Sequence, residues 1–294
     1  MIDRAANLPF PEVDGVRHRF VSVNGIRFHV AEAGEGEPLL MLHGWPQHWY
    51  EWRHLMAALR DDYRVICPDL RGFGWSDVPA TGYEKERLVD DILGILDRLG
   101  IERVRLIGHD WGGWLGFLLC LRRPEQVERF LALAILHPWL QFDLTLLRNS
   151  WRFGYQGFLT SPLIGAWLVQ RPGLIDQLIR LDSANGGQWR KRDLRWYSAL
   201  LQDPARARAS VLLYRTFLLR EMLPILRGRY RATRLHVPTH VLTGARDLTI
   251  TPALLRGYAP YADAMTVEVV PDAGHFLPEE CPALVAERAR AFFS

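Results

Sequence analysis

The sequence predicts an α/β fold in which a mostly parallel, eight-stranded sheet carries an inserted helical cap. Apolar runs of strand length alternate with apolar residues at helical spacing, which is typical of a parallel sheet with crossover helices. This alternation stops at Pro138 and resumes after Ala232, and the residues between show helical periodicity alone. Gly108 and Gly112 bracket a sharp turn from a strand into a helix. We therefore expect one sheet interrupted by one helical insertion.

The predicted strands are short apolar or alternating runs that end at glycine, proline or polar residues. They cover residues 16–23, 26–33, 39–42, 63–67, 103–107, 130–136, 239–242 and 265–270. Asn24 and Gly25 join the first two in a turn typical of a β-hairpin, so the sheet should begin antiparallel. Helices are predicted at 49–59, 88–99, 111–121, 252–261 and 282–292. The predicted catalytic domain is residues 1–137 and 233–294, and the predicted cap is residues 138–232.

The composition is that of a globular protein, because 49% of the 294 residues are hydrophobic and 23% are charged. Its three cysteines, Cys67, Cys120 and Cys281, are widely spaced and form no C-x-x-C pair, so neither a disulfide framework nor a zinc site is expected. A reducing, cytoplasmic location fits this pattern. The first residues lack a secretory apolar segment and no apolar run reaches 18 residues, so we expect neither export nor a membrane span.

The charge is distributed unevenly along the chain. The net charge is +3, but residues 138–232 hold 15 basic and 6 acidic side chains, whereas the remainder holds 21 basic and 27 acidic ones. The arginines of this basic segment are scattered at helical spacings and no nucleic-acid motif accompanies them. We interpret these arginines as a solvated face and expect no nucleic-acid partner. The sequence does not indicate which oligomeric state the protein adopts.

Asp110 occupies the nucleophile position of the pattern G-x-Nuc-x-G, between Gly108 and Gly112. Glycines there leave room for the turn that lifts one side chain out of the end of a strand. A carboxylate is a weak nucleophile that suits displacement at a saturated carbon bearing a strained leaving group, and the product would be an alkyl ester of Asp110. The N-terminus of the following helix favours the ionised carboxylate that must attack.

Two further residues complete a candidate triad in the order nucleophile, acid, base. Asp247 and His275 each follow a predicted strand, and the carboxyl ends of parallel strands meet at one edge of the sheet. Histidine takes a proton from water near neutral pH, and a carboxylate on its other ring nitrogen fixes the tautomer. We therefore expect His275 to act as the base and Asp247 to orient it.

The stretch His43-Gly44-Trp45-Pro46 follows another predicted strand and supplies the oxyanion site. In such a site the donors are the backbone N–H after the nucleophile and one from the loop after the third strand. Here these belong to Trp111 and Trp45, and they should stabilise the intermediate when water attacks the ester. His43 and Pro46 are expected to line the substrate pocket.

Five motifs together resemble the epoxide hydrolases of the α/β-hydrolase fold. They are His43-Gly44-Trp45-Pro46-Gln47, Asp69-Leu70-Arg71-Gly72-Phe73-Gly74-Trp75-Ser76, Gly108-His109-Asp110-Trp111-Gly112-Gly113, Gly244-Ala245-Arg246-Asp247 and Gly274-His275. The resemblance implies that a small hydrophobic epoxide is opened to a 1,2-diol, with no cofactor and no metal. It also implies cap tyrosines that donate a proton to the epoxide oxygen.

The cap tyrosines are the part of this pattern that the sequence matches least closely. Leu213-Tyr214-Arg215 resembles the second tyrosine motif of the family, which makes Tyr214 the candidate acid. Two residues compete for the first position. Spacing to Pro162 selects Phe158, which would then line the substrate pocket, whereas distance from the nucleophile selects Tyr155.

Two alternative functions are consistent with the same residues. A haloalkane dehalogenase pairs an aspartate nucleophile with a following tryptophan, as Asp110 and Trp111 do, and an indole at Trp45 would have to serve as the second halide donor. From a different class, a non-catalytic protein of this fold would bind a small hydrophobic molecule in a tryptophan-rich pocket.

Overall fold

The computed structural model describes residues 8–140, 144–161 and 164–294 and contains one eight-stranded sheet. The strands, in chain order, are β1 (Arg17–Val23), β2 (Ile26–Ala33), β3 (Glu37–Leu42), β4 (Tyr63–Pro68), β5 (Val104–His109), β6 (Val127–Leu133), β7 (Thr239–Gly244) and β8 (Met265–Val270). Their spatial order is β1-β2-β4-β3-β5-β6-β7-β8. The β1/β2 and β2/β4 pairs are antiparallel and all the other pairs are parallel. The predicted fold class is confirmed.

The sheet begins as a hairpin, as the sequence predicts. Asn24 and Gly25 both have positive φ, 51° and 79°, which a two-residue hairpin turn of the favoured type requires. The turn sets the register in which Val23 pairs with Ile26.

Helices pack around the sheet and fill the predicted cap. They are α1 (Arg53–Leu59), α2 (Lys85–Arg98), α3 (Trp111–Arg122), α4 (Leu144–Asn149), α5 (Gly154–Leu159), α6 (Gly165–Val169), α7 (Leu174–Leu181), α8 (Lys191–Leu201), α9 (Pro204–Thr216), α10 (Met222–Leu226), α11 (Leu277–Glu280) and α12 (Pro282–Phe293). Helices α2 and α3 pack against each other, as do α1 and α12. Helices α4 to α10 lie within residues 138–232, whose described part contains no strand.

The central strands are buried on both faces, which explains why they are continuous apolar runs rather than alternating ones. In β3 the side chains from Leu39 to Leu42 are fully buried, and β5 is similarly apolar at Leu106 and Ile107. This packing fixes the carboxyl ends of the strands, where the loops that carry the candidate site begin.

Two predictions of secondary structure are wrong in part. The helix predicted at 252–261 is two short 3₁₀ turns, Pro252–Leu255 and Ala259–Tyr261, because Gly257 adopts a φ of 86° and Pro260 has no N–H to continue a helix. The strand predicted at 130–136 lies at Val127–Leu133 and ends before Ala134, whose φ is 47°. No helix of the described residues has both the length and the hydropathy needed to cross a bilayer.

Candidate active site

Asp110 sits on a strained turn between β5 and α3, with φ 47° and ψ −120°. A non-glycine residue in this region is costly and is tolerated where the surroundings hold it, commonly at functional sites. Glycine is required on both sides: a Cβ on Gly112 would lie 1.9 Å from the Leu42 carbonyl oxygen, and one on Gly108 would lie 2.5 Å from the Gly112 oxygen. The turn predicted from the glycine spacing is therefore formed.

The two predicted oxyanion donors both reach the Asp110 carboxyl group. The Trp45 N–H donates to Oδ2 at 2.9 Å, and the Trp111 N–H also donates to this carboxylate. Burial raises the pKa of Asp110, while His275 and these two N–H groups act in the opposite direction. Oδ2 is thus held by the Trp45 N–H, and the Asp110 side chain retains 16% exposure.

Asp247 and His275 join Asp110 at the carboxyl edge of the sheet. The His275 Nδ1–H donates to Asp247 Oδ2 at 2.9 Å, and His275 Nε2 lies 4.0 Å from Asp110 Oδ1. Asp247 is fixed in turn, because its Oδ1 accepts from the N–H groups of Thr249 and Ile250, each at 2.7 Å. The structure therefore brings the three predicted triad residues together, and each carboxylate faces a different ring nitrogen of the imidazole.

The charges around His275 decide its protonation state. Burial acts to lower the pKa of His275, but the carboxylates of Asp247, Asp182 and Asp110 outweigh it and raise the pKa to about 10. At neutral pH the resting site consequently holds a His275 imidazolium beside the Asp110 carboxyl group.

A cavity of about 190 Å³ opens onto this site. Its polar lining includes Asp110, Asp182, Tyr214, Thr249 and His275, and its apolar lining includes Trp45, Pro46, Leu178, Ile179 and Phe276. Such an apolar pocket with a few convergent polar groups is typical of a small-molecule site. Pro46, which follows a cis peptide bond, lies in the wall as the sequence predicts.

Tyr214 reaches the cavity from α9 and is 2% exposed. Its ring stands edge-on to the indoles of Trp45 and Trp111, with ring centroids 5.4 Å and 5.3 Å apart. These contacts place the predicted acid on the same wall as the oxyanion loop.

A buried lysine anchors the helix that carries Tyr214. Lys85 Nζ donates to the Leu213 carbonyl at 2.6 Å and to Thr216 Oγ1 at 3.2 Å, and it lies 4.8 Å from the centre of the Trp111 ring. Burial lowers the pKa of Lys85 to about 8, although Glu221 at 3.8 Å opposes this. The lysine therefore links α2, the candidate nucleophile turn and α9.

One predicted pocket residue, His43, does not line the cavity, and the side chains of two other predicted residues are not described. His43 is buried behind the wall, where its Nδ1–H donates to the Gly44 carbonyl and its Nε2 accepts from the Leu70 N–H, so it supports the oxyanion loop rather than lining the cavity. Tyr155 and Phe158 belong to α5, but their side chains lie outside the described part of the structure.

Sequence reasoning missed two acidic groups near the triad. Asp182, directly after α7, lies within 4.8 Å of polar atoms of both Asp247 and His275. Glu51 is fully buried, and its carboxyl Oε2 lies 3.2 Å from His109 Nδ1. Glu51 carried a sequence signal, since it is an acid within the apolar run Trp49–Trp52, whereas nothing in the sequence singled out Asp182.

Glu51 is linked by hydrogen bonds, through His109, to the loop that carries His275. The His109 Nε2–H donates to the His275 carbonyl at 2.9 Å, which leaves Nδ1 of the neutral ring to accept from Glu51. Burial lowers the pKa of His109 to about 4 and raises that of Glu51 well above its usual value, and both shifts favour the neutral groups that these hydrogen bonds require. These hydrogen bonds fix the backbone carbonyl of His275.

Comparisons with known proteins agree with this geometry. Residues 37–282 match the family model described as alpha/beta hydrolase fold. The soluble epoxide hydrolase of Corynebacterium sp. (strain C12) is 30% identical over 95% of this chain and 98% of that protein. Among solved structures, Cfl2 from Burkholderia cenocepacia has a TM-score of 0.85 and 28% identity over 98% of this chain and 100% of that one. Epoxide hydrolase VrEH1 from Vigna radiata has a TM-score of 0.80 and 27% identity over 95% and 98%.

The sheet, the turn at Asp110 and the family match define the class: this chain is a member of the α/β-hydrolase fold. Within that fold it belongs to the epoxide hydrolase family, as its similarity to the Corynebacterium protein along nearly the whole of both chains shows. The resemblance predicted from the five motifs is confirmed. So is the prediction of a hydrolytic enzyme, in preference to the non-catalytic alternative.

Proposed function

We propose that this enzyme hydrolyses small hydrophobic epoxides to vicinal diols through an alkyl ester on Asp110. The observation that carries the proposal is the Asp110 carboxyl group itself, with Oδ2 held by the Trp45 N–H and His275 Nε2 4.0 Å from Oδ1. A serine at this turn would attack an acyl carbon, but a carboxylate suits a strained saturated carbon. The largely apolar cavity wall favours a hydrophobic substrate.

In the first half-reaction, Asp110 Oδ1 attacks one epoxide carbon and forms a carbon–oxygen bond. The bond from that carbon to the ring oxygen breaks, and the oxygen leaves with the electron pair. Tyr214, on the cavity wall, donates the proton that converts this oxygen to a hydroxyl group. The ring opens without a free alkoxide in the cavity.

In the second half-reaction, the ester no longer carries the negative charge of Asp110. Loss of that charge lowers the pKa of His275, and its proton passes to the Tyr214 phenolate left by the first half-reaction. The neutral imidazole then takes a proton from water. The resulting hydroxide attacks the ester carbonyl carbon, and the N–H groups of Trp45 and Trp111 stabilise the oxyanion. Collapse of the intermediate breaks the ester bond, and the departing oxygen takes the imidazolium proton to complete the diol. The new carboxyl group of Asp110 then gives its proton to His275, which restores the resting site.

The proposed catalytic domain is residues 1–137 and 233–294, and the proposed cap is residues 138–232. This division is supported by the position of all eight strands outside the cap range. The three cysteines are free, which is consistent with the predicted reducing cytoplasm.

Intact-mass spectrometry after mixing with styrene oxide tests the proposal. Asp110→Ala should show neither adduct nor diol. His275→Ala should accumulate a protein one substrate heavier, because alkylation proceeds while water is not activated. Asp272→Asn serves as the control, since Asp272 is on the same loop but its side chain is 88% exposed. Absence of any adduct in the His275 variant, with a panel of terminal, internal and aromatic epoxides, would overturn the proposal.

One observation favours dehalogenation of haloalkanes as a second candidate. The indole nitrogens of Trp45 and Trp111, like those of Trp49, Trp52 and Trp114, are buried and have no hydrogen-bond partner in the described ranges of the chain, and of these five residues Trp45 lines the cavity. An indole N–H without a partner at the cavity wall suits a leaving halide. Bromide release from a bromoalkane, compared with diol release from styrene oxide at equal concentration, separates the two functions.

A further inference from the structure

We propose that Asp182, contributed by the predicted cap, is a positioning residue that holds the loops of His275 and Asp247 and stabilises the cationic form of His275. This inference rests on the proposed function, because it assigns Asp182 a part in timing the two half-reactions. Asp182 is outside the triad and reaches the site from the C-terminal end of α7.

Asp182 contacts the His275 loop through its backbone. The His275 N–H donates to the Asp182 carbonyl oxygen at 2.8 Å. The neighbouring Gly274 has no space for a side chain, since a Cβ there would lie 2.6 Å from both the Asp182 carbonyl oxygen and the Ala184 nitrogen. Close packing and a hydrogen bond therefore join the cap to the loop that carries the candidate base.

The carboxylate of Asp182 holds the Asp247 loop. Its Oδ1 accepts from the Leu248 N–H at 2.7 Å, and its Oδ2 accepts from Thr249 Oγ1 at 2.8 Å. The next two N–H groups of the same loop, from Thr249 and Ile250, donate to Asp247. The loop thus lies between two carboxylates, one from the sheet edge and one from the cap.

Asp182 also acts on His275 through its charge. Its carboxylate lies within 4.8 Å of the imidazole and raises the pKa of His275, together with Asp247 and Asp110. The other titratable or charged groups around His275 and its cavity include His109, Glu51, Tyr214, Arg152 and Glu280, whose carboxylate accepts from the N–H groups of Gly274 and Phe276. Arg152 Nη1 donates to the Leu248 carbonyl. Asp247, Asp182 and Asp110 are the groups whose negative charge raises the pKa of His275.

This arrangement has a consequence for the reaction sequence. Alkylation removes the charge of Asp110 only, so Asp182 and Asp247 continue to favour the imidazolium in the ester intermediate. Ester hydrolysis needs neutral His275, and its rate should rise with pH through the pKa that His275 has in that intermediate. Without the charge of Asp182, that rise should occur at a lower pH.

Two measurements on Asp182→Asn test the inference. The first is the imidazole pKa of His275 in the resting protein, followed by NMR without substrate. The second is the rate of ester hydrolysis against pH in single-turnover experiments with styrene oxide. The pKa of His275 in the resting protein should fall by roughly one to two pH units, the size expected for loss of a charge at this distance in a partly screened site. The acid limb of the rate profile, which is the pH range where the hydrolysis rate rises with pH, should move down by the same amount. At a pH below the wild-type limb, hydrolysis should be about tenfold faster.

Matched variants separate charge from packing. Asp182→Glu keeps the charge and should restore the wild-type limb, whereas Asp272→Asn removes an exposed charge from the His275 loop and should leave it in place. A merely structural role would lower the plateau rate of Asp182→Asn without moving the limb, and that result, or an unchanged His275 pKa, overturns the inference. If Asp182→Asn does not fold, the equally neutral Asp182→Ser is measured instead. Should wild type form no ester, the proposed function fails, but the NMR titration still decides the role of Asp182.

Discussion

Replacing Gly44 with alanine should displace the candidate nucleophile without removing any reacting group. A Cβ on Gly44 would lie 2.5 Å from Asp110 Cβ and 2.8 Å from Asp110 Oδ2, whereas ordinary contacts begin near 3.4 Å. The carboxylate or the oxyanion loop must therefore move by about 0.9 Å. A misplacement of this size costs roughly 10²-fold in rate, or about 2.7 kcal/mol of barrier. Overpacking should also lower the free energy of unfolding by about 1–3 kcal/mol.

The assay is the single-turnover rate of ester formation on Asp110, followed by rapid quench and intact mass. Thermal unfolding of each variant checks that the protein is folded at the assay temperature. Gly157→Ala is the matched control, because no described atom beyond its own helix backbone and chain neighbours lies within 4 Å of the added Cβ, and the position is exposed in α5. Its alkylation rate should equal that of wild type. A folded Gly44→Ala enzyme that alkylates within twofold of wild type would refute the steric reasoning.

Two further predictions concern Tyr214 and Lys85. Tyr214→Phe should slow ester formation by about 10²-fold and ester hydrolysis much less, measured in separate single-turnover phases; equal slowing of both would remove its role as the acid. Folding lowers the pKa of Lys85 from 10.5 to about 8, so between these values the unfolded chain binds more protons and wild-type stability rises with pH. Denaturant unfolding should show a wild-type gain over Lys85→Met of up to about 3 kcal/mol across this window, and a constant difference would contradict the buried charge.

Much of the candidate triad was predictable because its residues follow strands. In a parallel sheet the carboxyl ends of neighbouring strands meet at one edge, so residues far apart in sequence are brought together. Asp110, Asp247 and His275 each follow such a strand, and the glycines beside Asp110 identified its turn. The position of His43 could not be predicted in this way, since its ring turns away from the cavity to bond the Gly44 carbonyl and the Leu70 N–H.

The helix predicted at 252–261 shows the limit of periodicity. Its apolar spacing was helical, but Gly257 and Pro260 interrupt the backbone hydrogen bonding and leave two short turns. At these two residues the conformation and hydrogen bonding of the backbone outweighed the helical spacing of the apolar side chains. At the Asn24-Gly25 hairpin both signals agreed, and the prediction held.

By itself the sequence determined the alternation of strands and helices, the turn that presents Asp110 and the order of the triad, because these depend on local periodicity and on the topology of a parallel sheet. Only the tertiary structure decided which residues of the cap meet that edge. Asp182 reaches the loops of His275 and Asp247, and Lys85 secures the helix of Tyr214, through contacts between segments far apart in the chain. Helical periodicity states which face of a helix is buried, but not which group covers it, and that choice is made by packing of the whole chain.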